Sequence, residues 1–229
     1  MTGRLLLDSH ELPDWMGPLA RSLAGIRGAD LSRLMPPAGV PVRESAVLVL
    51  FSGGTESGPD VVLIEKALGI RSHSGQVAFP GGAAEPDDQG PVAVALREAA
   101  EETNLDPDGV TPVAQLPRLW VPPSGYAVTP IVAWWHRPCP ITPADADEVS
   151  AVHRVDVSEL TDPVARVKVR HPSGYIGHGF EVRDLLVWGF TGGLLSRLLA
   201  AGGWERPWEP GRLVDIDVAG RLVEGQGRT

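Results

Sequence analysis

Residues 79–105, "FPGGAAEPDDQGPVAVALREAAEETNL", join a glycine turn to an amphipathic helix that carries Glu98, Glu101 and Glu102 close together. Pro91 suits the first helical turn, where its missing N–H costs nothing. Val92, Ala95, Leu96 and Ala99 fall at i, i+3, i+4 and i+7, which predicts a buried stripe. At about 100° per residue the three glutamates make a second patch beside that stripe. Asn104 tolerates the left-handed cap usually given to glycine, and Pro107 follows it, so the helix ends there.

Like charges at i, i+3 and i+4 repel by a few tenths of a kcal/mol per pair, roughly. The patch also lies in the later turns of the helix, where the macrodipole disfavours negative charge. A solvated acidic face is the common fate of an isolated glutamate pair, but this patch is unfavourable on two counts, as functional sites often are. A divalent cation removes the conflict. Oxygen-only ligands suit Mg²⁺ or Mn²⁺, and the preceding glycines let a backbone carbonyl approach the same ion. Arg97, next to Glu98, is placed to steady the cluster through charged hydrogen bonds.

Outward from this stretch the chain alternates strands and helices. "AVLVLF" from 46 and "VVLIE" from 61 are apolar, β-prone runs separated by the turn formers "SGGTESGPD", which predicts a hairpin. "QVAFP" is a third short strand that stops at Pro80. After the helix, "VAQLPRLWV", "AVTPIVAWWH" and "VSAVHRVDV" read as further strands. "LLVWGFTGGLLSRLLAAG", about 185–202, predicts a second helix with Leu186, Phe190, Leu194 and Leu198 on one broad face, although Gly192 and Gly193 weaken it by about 1 kcal/mol each. The tail "ERPWEPGRLVDIDV" adds an edge strand. Before residue 43, Trp15, Leu19, Leu23 and Ile26 are at helical spacing and "LMPPAGVP" breaks the helix. With no internal repeat, the expected organisation is an α/β fold: an N-terminal helical extension over 1–42 and one domain over 43–229.

Composition narrows the function classes. The chain has 229 residues, 43% hydrophobic and 21% charged, enough for a real core. Its net charge of −9 argues against a nucleic-acid or anionic-membrane partner, since no positive field is left to gather phosphates in bulk. Cys139 is the sole cysteine, stands between prolines and reads as structural; no intrachain disulfide can form, as suits a reducing cytoplasm. "MTGRLLLDSHELPDW" has neither the apolar core nor the cleavage site of a signal peptide, and no apolar run approaches the ~20 residues of a membrane span. A cytoplasmic protein with no membrane partner is expected. Most of the seven tryptophans, Trp134, Trp135 and Trp188 among them, are expected in packing or at an interface.

The glycine-and-glutamate pattern resembles the Nudix box, G-x5-E-x7-R-E-U-x-E-E-x-G-U with U apolar. Gly82 begins the match, and Arg97, Glu98, Ala99, Glu101, Glu102 and Leu105 fill its later positions. Fourteen residues rather than thirteen separate Gly82 from Arg97, the middle acid is matched by Asp88 or Glu85, and Asn104 replaces the last glycine. Upstream, "VLIEKALGIRSHSGQVAFPGG" is similar to the signature of the coenzyme A diphosphohydrolase branch, L-L-T-x-R-[SA]-x3-R-x3-G-x3-F-P-G-G, with Ala67, Arg71, Gly75, Phe79, Pro80, Gly81 and Gly82 in register. That branch has the same one-residue-longer box. "LPRLWVPPSGYAVTPIV" and "LLVWGFTGGLLSRLL" look like two more of its segments, so the resemblance spans roughly 45–200. The branch's threonine is Ile64 here and its first arginine is Lys66, which keeps the charge but lacks the bidentate fork.

The resemblance implies a Nudix-type α/β/α sandwich with a mixed β-sheet, and hydrolysis of a diphosphate linkage in a small-molecule substrate. For coenzyme A the products are 3′,5′-ADP and 4′-phosphopantetheine. It implies Mg²⁺ or Mn²⁺ held by Glu98, Glu101 and Glu102 with the carbonyl of Gly82, a catalytic role for Arg97, and Glu98 or Glu148 as general base. Arg71 and His73 are candidate phosphate contacts, Tyr126 a candidate adenine platform, and a homodimer is expected from the family. Ile64 and Lys66 keep other substrates open: ADP-ribose, a dinucleotide or a phosphoribosyl diphosphate. A nucleotide-binding module without turnover is a further alternative, one that typically loses a box glutamate.

Overall fold

The computed structural model describes residues 2–8, 11–32, 34, 36, 39, 41–55, 58–68, 75–122 and 124–223. The expected hairpin is present, with β2 (Arg43–Thr55) antiparallel to β3 (Gly58–Lys66) and Phe51 opposite Val61. β2 also runs parallel to β8 (Tyr126–Trp135) from Arg43↔Tyr126 to Phe51↔Trp134, so the sheet is mixed. On the far side of β8 lie β6 (Val110–Gln115) and then β1 (Arg4–Leu5), both antiparallel to their neighbours. β3 carries β4 (Val77–Ala78) and β9 (Val149–Asp156), and two short strands complete the nine: β5 (Gly81–Ala83) on β2 and β7 (Leu119–Val121) on β8.

Strand side chains alternate between faces, and β2 uses both. Ala46, Leu48 and Leu50 pack with Val94, Ala95 and Ala99 of helix α3 (Pro91–Thr103). Val49 and Phe51 join the opposite core with Leu19 and Leu23 of α1 (Gly17–Leu23) and Leu194, Leu195 and Leu198 of α5 (Gly189–Ala201). The result is the expected α/β/α sandwich. The segment before residue 43 is built into it: Met16, Leu19, Ala20 and Leu23 are fully buried, and Leu5 pairs with Ala114. Two single-turn helices, α2 (Gly28–Leu31) and α4 (Val157–Leu160), fill connections.

A second, four-stranded sheet has the order β12 (Leu185–Val187), β11 (Ile176–Val182), β10 (Arg166–Arg170), β13 (Leu213–Asp215). The tail strand is as expected, parallel to β10. The second helix is shorter than expected. Leu185, Leu186 and Val187 pair with Val182, Glu181 and Phe180, and the helix begins only at Gly189, whose φ of +64° turns the chain out of the strand. Leu186 therefore does not share a helical face with Phe190. Strand pairing with β11 across the two-residue turn Arg183–Asp184 overrides the helical spacing.

Helix α3 begins at Pro91 and ends at Asn104, in the left-handed region at φ 55°, ψ 28°. Its stripe is rotated from the expected one. Val94, Ala95, Ala99, Glu102 and Thr103 are buried, whereas Val92 and Leu96 are half-buried. That rotation puts Glu102 on the inner edge of the helix.

Candidate active site

The site lies where α3 crosses the glycine turn of β5. Gly82 pairs with Ala46 and Gly81 with Val47, so the turn is fixed to the middle of the sheet. Glu98 stands directly over it: a Cβ on Gly82 would lie 2.3 Å from the Glu98 carboxyl carbon. One turn on, Glu102 accepts the Gly81 N–H at 2.8 Å on Oε2 and the Lys66 Nζ at 2.5 Å on Oε1. Lys66 ends β3 and also lies 3.6 Å from Oε1 of Glu148. The loop carrying Glu148 is tied down by its own backbone: the Ala67 N–H donates to the Glu148 carbonyl at 2.9 Å, and the Ala144 N–H to the Glu102 carbonyl at 3.1 Å.

Arg97 organises the outer half. Its Nε and Nη2 fork onto Asp88 at 3.1 and 3.0 Å, Nη2 also reaches the Ala83 carbonyl at 3.0 Å, and Nη1 reaches Glu101 at 2.9 Å and Glu98 at 3.1 Å. Of the two acids that matched the middle of the box, Asp88 takes the fork, while Glu85 stands 4.0 Å off. The hydrogen bond to Arg97 holds the Asp88 carboxyl below its ordinary range. Arg97 thus pins the loop before the helix to the helix.

Burial raises both inner carboxyls. Desolvation pushes Glu98 up, Arg97 opposes it and the charge of Glu102 adds to it. Desolvation likewise pushes Glu102 up against the pull of Lys66, with Glu148 adding to the rise. A buried and a half-buried carboxylate that repel each other beside a glycine backbone fit a hard cation with oxygen ligands, because such an ion would relieve both the burial and the repulsion. Among the described residues no three acids or histidines converge as a ready-made metal cage. Glu101 is 59% exposed and turned to Arg97, and Lys66 already neutralises Glu102. The carboxylates that would hold a cation here are Glu98 and Glu102, with Glu148 next to them across Lys66 and Glu101 on the outer side of Arg97.

The other sequence candidates fall in two places. Tyr126 opens β8, and the guanidinium carbon of Arg43 lies 4.2 Å from its ring centroid, so its face is covered by a neighbouring cation. Arg71 and His73 lie outside the described residues. The sequence reading singled out Lys66 only as a departure from a signature; its place at the signature's arginine position was the available signal. The Gly81 N–H left no side-chain trace. Ile64 is fully buried in β3, a core position rather than a lining one.

A mixed-sheet sandwich with a glutamate helix over a glycine turn defines a class, and comparison with known proteins agrees. The NUDIX domain family matches residues 41–173, and the chain belongs to that family. A Nudix hydrolase of Cronobacter sakazakii, NudL, is 36% identical over 172 residues, 72% of this chain and 85% of its own length. NudL of Escherichia coli K12 is 34% identical over 163 residues, covering 68% and 81%. Among solved structures, the Mycobacterium smegmatis Nudix hydrolase RenU aligns over 77% of this chain and 97% of its own at 16% identity, with a TM-score of 0.49. The chain is a Nudix hydrolase acting on a diphosphate substrate, and enzymes of this family generally work with divalent metal ions. No helix among the described residues is long and apolar enough to cross a membrane.

Proposed function

We propose that this hydrolase cleaves the diphosphate linkage of coenzyme A or its derivatives, adding water across the P–O–P anhydride to release 3′,5′-ADP and 4′-phosphopantetheine or its acyl form. The observation that carries the chemistry is the Glu98–Glu102 pair, half-buried and buried, against Gly81 and Gly82. Mg²⁺ or Mn²⁺ is the ion these oxygens suit, and when bound it supplies charge neutralisation of the diphosphate and a more acidic water. Glu98 and Glu102 hold it, with Glu101 and the Gly82 carbonyl completing the set.

The remaining work belongs to the chain. Arg97 keeps Glu98 oriented over the glycine turn while binding Asp88 and the Ala83 carbonyl. Glu98, standing over the glycine turn, is the first candidate to take a proton from the attacking water. Glu148, exposed beside Lys66, is the second candidate for that proton. Arg71 and His73, outside the described residues, are assigned to the substrate phosphates, and Tyr126 to the adenine, on the family's pattern.

The coenzyme A assignment rests on the signature over 62–82. Its two departures have internal explanations: Ile64 fills the core, and Lys66 is bound to Glu102. The test is incubation with Mg²⁺ or Mn²⁺ and a panel of coenzyme A, acyl-coenzyme A, ADP-ribose, NADH and phosphoribosyl diphosphate, with products read by mass spectrometry and Glu102→Gln as control. Release of 4′-phosphopantetheine by the native chain but not the variant is the expected result. Cleavage of another member in preference to coenzyme A overturns the substrate assignment, and no turnover of any member overturns the enzymatic one.

A further inference from the structure

The second sheet gathers cations that the hydrolytic site does not use. Arg166 and Lys168 on β10 lie opposite Phe180 and His178 on β11. The Arg166 side chain is 1% exposed; its Nη2 donates to Ser196 Oγ of α5 at 2.9 Å and to Glu205 Oε1 at 3.0 Å. Its Nε and Nη1 are buried with no hydrogen-bond partner among the described residues. The guanidinium carbon sits 4.7 Å from the Phe180 ring centroid and 4.8 Å from that of Trp208. Lys168 Nζ lies 3.1 Å from His178 Nε2 and 5.6 Å from the same Trp208 ring. Because an ammonium only donates, His178 accepts at Nε2 and keeps its proton on Nδ1, 3.4 Å from Ser196 Oγ.

The charges here do not balance. Arg166, Lys168 and Arg197 all act on His178, and burial together with these cations pushes its pKa down to about 4. Burial, Arg166 and Arg197 lower Lys168 as well. Glu205 is the carboxylate that opposes them, and its side chain is 37% exposed. It belongs to residues 203–212, which have no helix or strand. A chain of net charge −9 has thus set three cations within range of a neutral histidine and left half of a buried guanidinium unsatisfied among the described residues, with Glu205 opposing them at the histidine and Asp30 of α2 acting on Arg197.

We propose that Arg166, Lys168 and His178 form a second binding site, for a phosphate-class oxyanion, in which the Glu205 carboxylate stands in for the ligand. The incoming oxyanion takes the Glu205 position on Arg166 and the Nζ of Lys168, and Glu205 turns to solvent. Arginine and lysine donors suit a phosphate better than one carboxylate does, because a dianion offers more acceptor oxygens to the same donors. Trp208 stays as the apolar roof. Once Lys168 turns to the oxyanion, His178 faces a negative charge and protonates more easily. Free inorganic phosphate and the phosphate of a nucleotide share this chemistry. The inference is independent of the diphosphatase substrate, since none of these residues contacts the glutamate helix in the site above.

The full chain is titrated at constant ionic strength with inorganic phosphate and, separately, with adenosine 3′,5′-bisphosphate, while NMR follows the His178 ring and fluorescence follows Trp208. The expected result is saturable binding that raises the His178 pKa by about one unit. Lys168→Met is expected to weaken binding about tenfold, the loss of one charged contact. Glu205→Gln tightens it, because the competing carboxylate charge is gone. Arg166→Met endangers the fold, so Arg166→Lys, which keeps the charge and loses the fork, serves as the second cation variant. Saturation by inorganic phosphate assigns the free ion, and saturation by the bisphosphate alone assigns a nucleotide phosphate. No saturation with either, or a response unchanged in Lys168→Met, overturns the proposal.

Discussion

The ammonium of Lys66 lies 2.5 Å from Oε1 of Glu102, and the two side chains are 15% and 2% exposed. Among the described residues Lys66 is the cation that faces that carboxylate, and it makes its burial tolerable. Removing one member of a buried pair leaves an uncompensated charge, so Lys66→Met is expected to cost about 3 kcal/mol in urea denaturation. The double variant Lys66→Met/Glu102→Gln removes both charges and is expected to recover most of that loss.

Two adjacent glycines are expected to fail in opposite ways. A Cβ on Gly81, at φ +153°, would lie 2.4 Å from the Ala46 carbonyl oxygen and 2.6 Å from the Val47 Cα, both backbone atoms of the central strand. Gly81→Ala is therefore expected to destabilise the fold by about 3 kcal/mol. On Gly82 the obstacle is the mobile end of Glu98. Gly82→Ala is expected to keep its thermal midpoint and lose kcat, because Glu98 is pushed off the glycine turn; equal losses in both properties would contradict this.

Arg97→Lys tests geometry at constant charge. Lysine cannot fork onto Asp88 while also holding Ala83, Glu98 and Glu101. The expected outcome is a fall in kcat of about tenfold or more with KM little changed, since positioning rather than substrate binding is lost. Steady-state kinetics on whichever diphosphate is cleaved separates the two constants.

Metal binding has a readout apart from turnover. If Glu98 and Glu102 hold Mg²⁺ or Mn²⁺, the thermal midpoint rises with added metal and falls back with chelator. At a hundredfold excess over Kd the stabilisation is about 2.7 kcal/mol. Glu98→Gln and Glu102→Gln are each expected to lose this response, while Glu101→Gln, from the exposed side of Arg97, is expected to weaken it only in part.

His178 sets a pH limit on the second sheet. Its pKa falls from 6.5 to about 4 on folding, chiefly through burial and then through Lys168, Arg166 and Arg197. Between those values the unfolded chain binds a proton that the folded chain refuses, so stability rises with pH across the window. The contribution is complete above 6.5 and is lost as pH falls towards 4. In His178→Gln the dependence of the urea midpoint on pH over that window is expected to flatten.

The sequence by itself determined the elements whose causes are local. Pro91 and Asn104 bounded helix α3 because one lacks an N–H and the other tolerates a left-handed turn. The turn formers between two β-prone runs settled the β2–β3 hairpin, and the repulsion among Glu98, Glu101 and Glu102 marked the site. Only the tertiary structure decided which way α3 faces: packing on Ala46, Leu48 and Leu50 turned Val94 and Glu102 inward and left Val92 and Leu96 half-buried. It alone separated Glu101 from the inner pair, chose Asp88 over Glu85 for Arg97, and set Lys66 and Glu148 beside Glu102. The same holds for Leu185–Val187, helical in local spacing yet a strand once β11 offered its edge. Hydrogen bonding and apolar spacing within a few residues leave a periodic trace in the chain. Charge compensation between residues far apart leaves none, and which of two local patterns wins, as at Leu185–Val187, is settled by the strand edge that the fold presents.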